Sequence, residues 1–191
     1  MRSRCWMAIM LCMGVVCARA QDSTLYVYGK VGNYMNGMPA WPFAVVAVDV
    51  KDTTYRSQAR ANAKGRYELV LHAGRLYVLA FHAEGLLPKH VLVDTRGPSA
   101  AQWKDGFGLQ VDMALVPAVP GVDASVLNEP VGRCAFNLNS GNFEWDRAYA
   151  DAMRPRLARL NAAVDKALMP DSLLGPPVVG PERPAPTAPG K

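Results

Sequence analysis

Between Leu25 and Val116 the chain is a succession of short β-rich runs broken by turn residues at regular spacing, with no long helical period among them. That pattern restricts the chain to an antiparallel β-sandwich or barrel and excludes parallel βαβ units. LYVYGKV (25–31) alternates apolar and polar residues, whereas FAVVAVDV (43–50) is apolar almost throughout, as a strand in the middle of a core is. TTYRSQAR (53–60), RYELVL (66–71), RLYVLAFHA (75–83), KHVLVDT (89–95) and LQVDMALV (109–116) continue the series. About seven or eight strands are expected. Gly65 in ANAKGRY and Gly74 in LHAGRLY fall between runs, where a positive φ is needed, so both are expected as hairpin connections. Tyr67, Leu69 and Leu71 then share one face, and Tyr77, Leu79 and Phe81 share one face of the next strand, paired with the first.

Residues 1–20, MRSRCWMAIMLCMGVVCARA, combine a basic start, an apolar run and the small-residue site Ala18-Arg19-Ala20, the pattern of a secretory signal peptide cut before Gln21. The apolar run is too short for a retained transmembrane helix, and Val16 ahead of Cys17 disfavours lipidation at that cysteine. Loss of Arg2, Arg4 and Arg19 with the leader lowers the formal charge of +5 by their three charges, to +2. No basic stripe remains to follow a phosphate backbone, which argues against nucleic acid, and no integral membrane segment is expected after cleavage. Cys5, Cys12 and Cys17 also leave with the leader. Cys134 is then the sole cysteine, expected as a small buried hydrophobe because no histidine lies near it in sequence.

Beyond the sandwich (25–116) the composition changes. Residues 117–142 open on PAVPGVD and read as an irregular linker with one short strand near Arg133 to Leu138. Residues 143–168 read as an amphipathic helix: Trp145, Tyr149, Met153, Leu157, Leu160, Val164 and Leu168 recur at three and four. Ser140 or Asn142 is available to cap it, Pro155 is expected to kink or split it, and its stripe is expected to cover a face of the sheet. Residues 170–191 are proline-rich and expected to be extended and disordered.

Three histidines, His72, His82 and His90, are available for metal or acid–base work, the first two at the ends of consecutive strands. None has an H-x-H or H-x₃-H partner, so no metal, cofactor or catalytic residue is assigned. Loop aromatics are the remaining candidates for a sugar ring or a partner chain. Trp41 and Phe107 also suit the closing of the sandwich ends, whereas Trp103, with polar neighbours, is expected at the surface. Trp145 and Tyr149 are the helix-borne candidates.

The Gly29-x-Val31 run, the Gly37/Pro39 loop, the Val45 core strand and then AKGRYELVL, GRLYVLAF and EGLLPKHVLVDT resemble the carboxypeptidase regulatory-like domain, a prealbumin-like β-sandwich of bacterial envelope proteins, especially those of Bacteroidetes. The resemblance covers 25–116 and implies fold without supplying catalytic residues. Two enzyme classes share a related sandwich. Transthyretin-like hydroxyisourate hydrolases end in Tyr-Arg-Gly-Ser, for which this chain offers only Tyr55-Arg56-Ser57 inside an early strand. Intradiol dioxygenases bind iron through two tyrosines and two histidines, in a spacing that this sequence does not match. The resemblance therefore implies an exported, non-catalytic structural or protein-interaction module of the periplasm or outer membrane, without enzyme activity, whose partner is an envelope protein. A carbohydrate-binding module using Trp41 and Trp103 is the alternative, and a transthyretin-like hydrolase stands behind both.

Overall fold

The computed structural model describes residues 23–40 and 42–169; the expected leader (1–20), Trp41 and the expected disordered tail (170–191) lie outside the described residues. The strands are β1 (Thr24–Asn33), β2 (Phe43–Asp49), β3 (Arg56–Arg60), β4 (Arg66–His72), β5 (Leu76–Ala83), β6 (Lys89–Asp94), β7 (Phe107–Gln110), β8 (Met113–Leu115), β9 (Gly132–Asn137) and β10 (Asn142–Trp145). They are followed by one helix, α1 (Arg147–Leu168). No described helix is long and apolar enough to cross a membrane.

The strands form two mixed sheets. In the smaller, β1 pairs antiparallel with β4 on one side and parallel with β7 and then β8 on the other. The larger runs β10-β9-β6-β5-β2-β3, antiparallel except where β9 joins β6 in parallel. The expectation of seven or eight strands, all antiparallel, is corrected here. Eight strands do lie between Thr24 and Leu115, but two more follow, and connections that return to the same end of the fold make three pairings parallel. The segment 117–142 is accordingly more than a linker, since it holds β9 and the first residue of β10.

The glycine turns do not make hairpins. Gly65 (φ 72°) and Gly74 (φ 79°) have the positive φ expected of them, but each carries the chain from one sheet to the other. β4 and β5 therefore meet face to face instead of edge to edge. Tyr67, Leu69 and Leu71 point at Tyr77, Leu79 and Phe81 across a shared core, and the Tyr67 and Phe81 rings contact edge-on at 5.7 Å. The Tyr67 hydroxyl donates to the Val111 carbonyl at 2.8 Å, so the one polar atom of a buried ring is satisfied. At Gly29 the glycine is demanded by packing: a Cβ there would lie 2.1 Å from the Val111 carbonyl oxygen.

At one end of the core the Asp49 carboxylate pairs with the Arg75 guanidinium at 2.6 Å, and that guanidinium stacks 3.9 Å from the Tyr55 ring centroid. The wholly buried Thr95 ties the same turn together by bonding the carbonyls of His72 and Arg75. The Lys89 ammonium is also buried and donates to the Ala114 carbonyl of β8 at 2.6 Å.

The helix starts at Arg147, later than the expected 143, with Asp146 as its N-cap accepting from the Tyr149 amide at 3.0 Å. It runs through Pro155 without a break in its helical assignment. Its first turn meets β9 of the larger sheet, where the Arg133 guanidinium lies over the Tyr149 ring, and farther along Leu160 and Val164 form a second cluster with Val116 and Leu127, in the segment after β8. Leu157 packs against it, and Arg156 pairs with Glu129 through both guanidinium nitrogens at 2.9 and 2.6 Å. Burial of side chains such as Leu160 and Val164 contributes on the order of 1.5–3 kcal/mol each to holding the helix.

Candidate functional site

The outer face of the six-stranded sheet carries the site. Because side chains alternate along a strand, register fixes which of them line up there. One row runs Gln58, Val46, Ala80, His90; the next runs Arg56, Val48, Val78, Leu92, Arg133; a third runs Leu76, Asp94, Ala135, Glu144. Val46, Val48, Val78, Ala80 and Leu92 occupy the middle of the face and are half-buried, yet none of them joins either buried cluster. Reading FAVVAVDV as fully buried missed this. Phe43, Val45, Ala47 and Asp49 are buried, while Ala44, Val46 and Val48 face outward without a covering layer among the described clusters.

Charged and polar groups rim the apolar rows. Arg56, Gln58 and Arg60 project from β3, His82 and His90 from β5 and β6, and Asp94, Arg133 and Glu144 from the far side. There the face opens into a groove of about 750 Å³ lined by Leu76, Leu92, Arg96, Arg133, Leu138 and Trp145. The Asp94 carboxylate is held below its ordinary pKa, chiefly by hydrogen bonds from the Arg96 guanidinium at 2.8 and 2.5 Å, so the groove mouth keeps a fixed ion pair. Partial burial lowers the His90 pKa, which favours its neutral form. At the other end a hollow of about 440 Å³ lies between Ala44, Gln58, Arg60 and His82. Cys134 lies inward on β9, and burial pushes its thiol up to about 12.

The expected contact residues fare differently. Trp103 is a correction: it is 4% exposed, because the short turn Gln102–Asp105 folds its indole inward against Phe107 and Phe143, with ring centroids 5.1 and 5.8 Å away. Phe107 joins Phe136 and Phe143 in the same aromatic cluster. Trp145 is open to solvent at 36%, its ring lying close to Gly132 at the groove. Tyr149 is occupied within the fold: its hydroxyl donates to the Pro130 carbonyl at 2.6 Å, and the Arg133 guanidinium covers its ring. Trp41 lies outside the described residues.

His72 is kept apart from the other two histidines, which stand on the same outer face of neighbouring strands β5 and β6. His72 projects from the smaller sheet, and His82 and His90 from the larger. Tyr55 and Tyr77 do stand near His72, with Tyr55 ring centroids 5.8 Å from His72 and 6.2 Å from Tyr77. The Tyr77 hydroxyl, however, is engaged by the His72 backbone. A set of two tyrosines and two histidines is not assembled among the described residues, and no group of three His, Cys, Asp or Glu side chains there is arranged to hold a metal ion.

No family model and no curated protein matches the chain. Among solved structures it is similar to 3-chlorocatechol 1,2-dioxygenase from Rhodococcus opacus 1CP, at 13% identity and a TM-score of 0.37, over 52% of this chain and 62% of that one. It is also similar to the dioxygenase domain of a dioxygenase carbohydrate-binding protein fusion from Streptomyces sp. SirexAA-E, at 14% and 0.38, over 54% and 86%. A third is catechol 1,2-dioxygenase from Acinetobacter sp. ADP1 inhibited by bound mercury, at 18% and 0.39, over 62% and 60%. The chain spans less than two thirds of the length of the first and third of these. These matches correct the expectation that the chain is not an enzyme, since the structures it is similar to are those of enzymes; that expectation is withdrawn.

Proposed function

We propose that this chain is an exported interaction module of the bacterial cell envelope, built on a carboxypeptidase regulatory-like sandwich, and that it receives a protein partner on the outer face of its six-stranded sheet. One observation carries the reading: Val46, Val48, Val78, Ala80 and Leu92 line up on that face and join neither buried cluster. A contiguous apolar patch rimmed by polar groups is the surface pattern of a protein contact. Arginines such as Arg56 and Arg60 suit its border, because their stems cover apolar surface while their guanidinium groups stay hydrated. The leader of residues 1–20 supports export, and the groove beside Trp145 offers a pocket for one anchoring side chain of the partner.

The test is Val78→Glu, with Met38→Glu in the exposed β1–β2 loop as its control. Val78 faces outward, so the substitution is expected to cost about 1 kcal/mol or less of stability while abolishing co-purification of the partner from the envelope fraction. Met38→Glu is expected to leave the complex intact. A complex that survives Val78→Glu unchanged contradicts the reading.

A further inference from the structure

We propose that β3 is a docking edge, at which an extended acidic segment of a partner protein adds antiparallel as a further strand of the larger sheet. The proposal does not rest on the apolar face, since an added strand needs only the backbone of β3. Residues of an antiparallel pair alternate between those that bond to the neighbouring strand and those whose amide and carbonyl point away from it. The Asp49 amide donates to the Tyr55 carbonyl and the Ala61 amide to the Phe43 carbonyl, so in this register Tyr55, Ser57, Ala59 and Ala61 are the residues that bond to β2. Arg56, Gln58 and Arg60 therefore turn their amides and carbonyls outward at the rim of the sheet. None of these backbone groups has a partner among the described residues.

Open edges also occur where nothing binds, and the contrast with β4 is what singles this one out. β4 borders the smaller sheet next to β3, and by the same alternation Arg66, Glu68, Val70 and His72 point away from β1. There the fold closes both ends of the edge. Asn62 accepts from the Arg66 amide with its side-chain oxygen and donates its own amide to the Arg66 carbonyl. The Tyr77 hydroxyl accepts from the His72 amide, and the Tyr77 and Thr95 hydroxyls donate to the His72 carbonyl. β3 receives no such closure from the described residues.

Charge selects the occupant. Arg56, Gln58 and Arg60 also carry the exposed side chains of β3, and neither guanidinium forms an ion pair among the described residues. Arg66, equally unpaired, lines a hollow of about 390 Å³ together with Arg60. Glu68 lines that hollow as well, and Glu84 and His82 line the one on the other flank of Arg60, but neither carboxylate is paired with an arginine. Opposite charges directly across a ladder stabilise it, and like charges destabilise it. A second copy of the chain is refused on this ground, because the antiparallel register that uses all three open residues sets Arg56 against Arg60 twice. Charged side chains are a common guard of edge strands. Here the guard has one sign, so a strand with carboxylates at alternate positions meets both arginines, and its intervening side chains fall on the side of Ser57 and Ala59.

The probes are acetyl-Thr-Glu-Val-Glu-Val-Glu-Thr-amide and its counterpart with lysine in place of glutamate, titrated into the purified full chain and followed by calorimetry and amide hydrogen exchange. The glutamate peptide is expected to bind about tenfold or more tightly than the lysine peptide and to slow exchange at Arg56, Gln58 and Arg60. Gln58→Pro removes one outward amide and leaves the bonds to β2, and proline is tolerated on an edge strand where the N–H faces solvent. It is expected to keep the melting temperature and to weaken binding about tenfold or more. Arg56→Glu combined with Arg60→Glu, both at exposed positions, is expected to reverse the preference toward the lysine peptide. No binding of the glutamate peptide, equal binding of the two peptides, binding that leaves the three amides unprotected, or binding indifferent to a folded Gln58→Pro variant overturns the proposal. So does a concentration-dependent dimer in sedimentation that Gln58→Pro abolishes, which would give the edge to a second copy of the chain.

Discussion

The guanidinium of Arg133 lies 3.9 Å from the ring centroid of Tyr149 and so clamps the first turn of α1 onto β9. With the Tyr149 hydroxyl bonded to Pro130, one ring joins the helix to the segment that leads into that strand. Tyr149→Phe keeps the ring and loses the hydrogen bond, at an expected cost of about 0.5–1.5 kcal/mol. Leu160→Ala, farther along and 4% exposed, is expected to cost about 2–5 kcal/mol. Urea unfolding of both variants checks the docking; two variants as stable as the parent would mean that α1 does not dock on its own domain.

Cys134 is buried, and its thiol is pushed up to about 12 by loss of hydration, with the charge of Glu144 adding to the shift. The thiolate that reacts is scarcely populated at neutral pH. Labelling by a maleimide is therefore expected to be negligible in the native protein and complete in denaturant, with mass spectrometry as the readout. Rapid native labelling would contradict the placement of β9.

Asp49 is held below its ordinary 3.8 by the Lys51 amide first and also by Arg75, against the opposing effect of burial. A depressed carboxylate pKa contributes stability that is present above the unfolded value and is lost as pH falls through the folded one. Asp49→Asn is expected to be less stable than the parent at pH 7. The gap between the two urea midpoints is expected to narrow as the pH is taken down through the carboxylate range.

Burial lowers the pKa of Lys89, so at neutral pH the folded protein carries the full cost of a desolvated ammonium. The unfolded chain binds that proton up to the ordinary 10.5, and stability from this group therefore rises as pH climbs through the folded value. Lys89→Met removes this dependence. The stability of the variant relative to the parent is expected to fall as the pH is raised toward the ordinary lysine value of 10.5, measured by unfolding at fixed temperature.

The strands were legible because alternation and glycine turns are local signals: Leu25, Val27, Tyr67, Leu69 and Leu71 all point inward as their spacing requires. Sheet membership was not legible, since the turn at Gly74 joins two strands equally well side by side or face to face, and only the match of Tyr67 to Phe81 across the core decides between them. The start of the helix was hidden because Trp145 fits both the period of two that it shares with Phe143 in β10 and the period of four that leads through Tyr149 to Met153. Trp103 misled for a different reason. Its neighbours in sequence are polar, but its neighbours in space are Phe107 and Phe143, the latter supplied by a strand far along the chain. The candidate face stayed invisible because FAVVAVDV looks the same whether its second side is covered or open.

Site-specific photo-crosslinking in the intact envelope tests the central claim most directly. A benzophenone side chain placed at Val48, Val78 or Leu92 is expected to yield one common protein adduct, and the same group at Met38 or Lys64, away from the face, is expected to yield none. Adducts of the same partner from positions 38 and 64, or no adduct from any of the three face positions, would contradict the assignment of the outer sheet face as the docking surface.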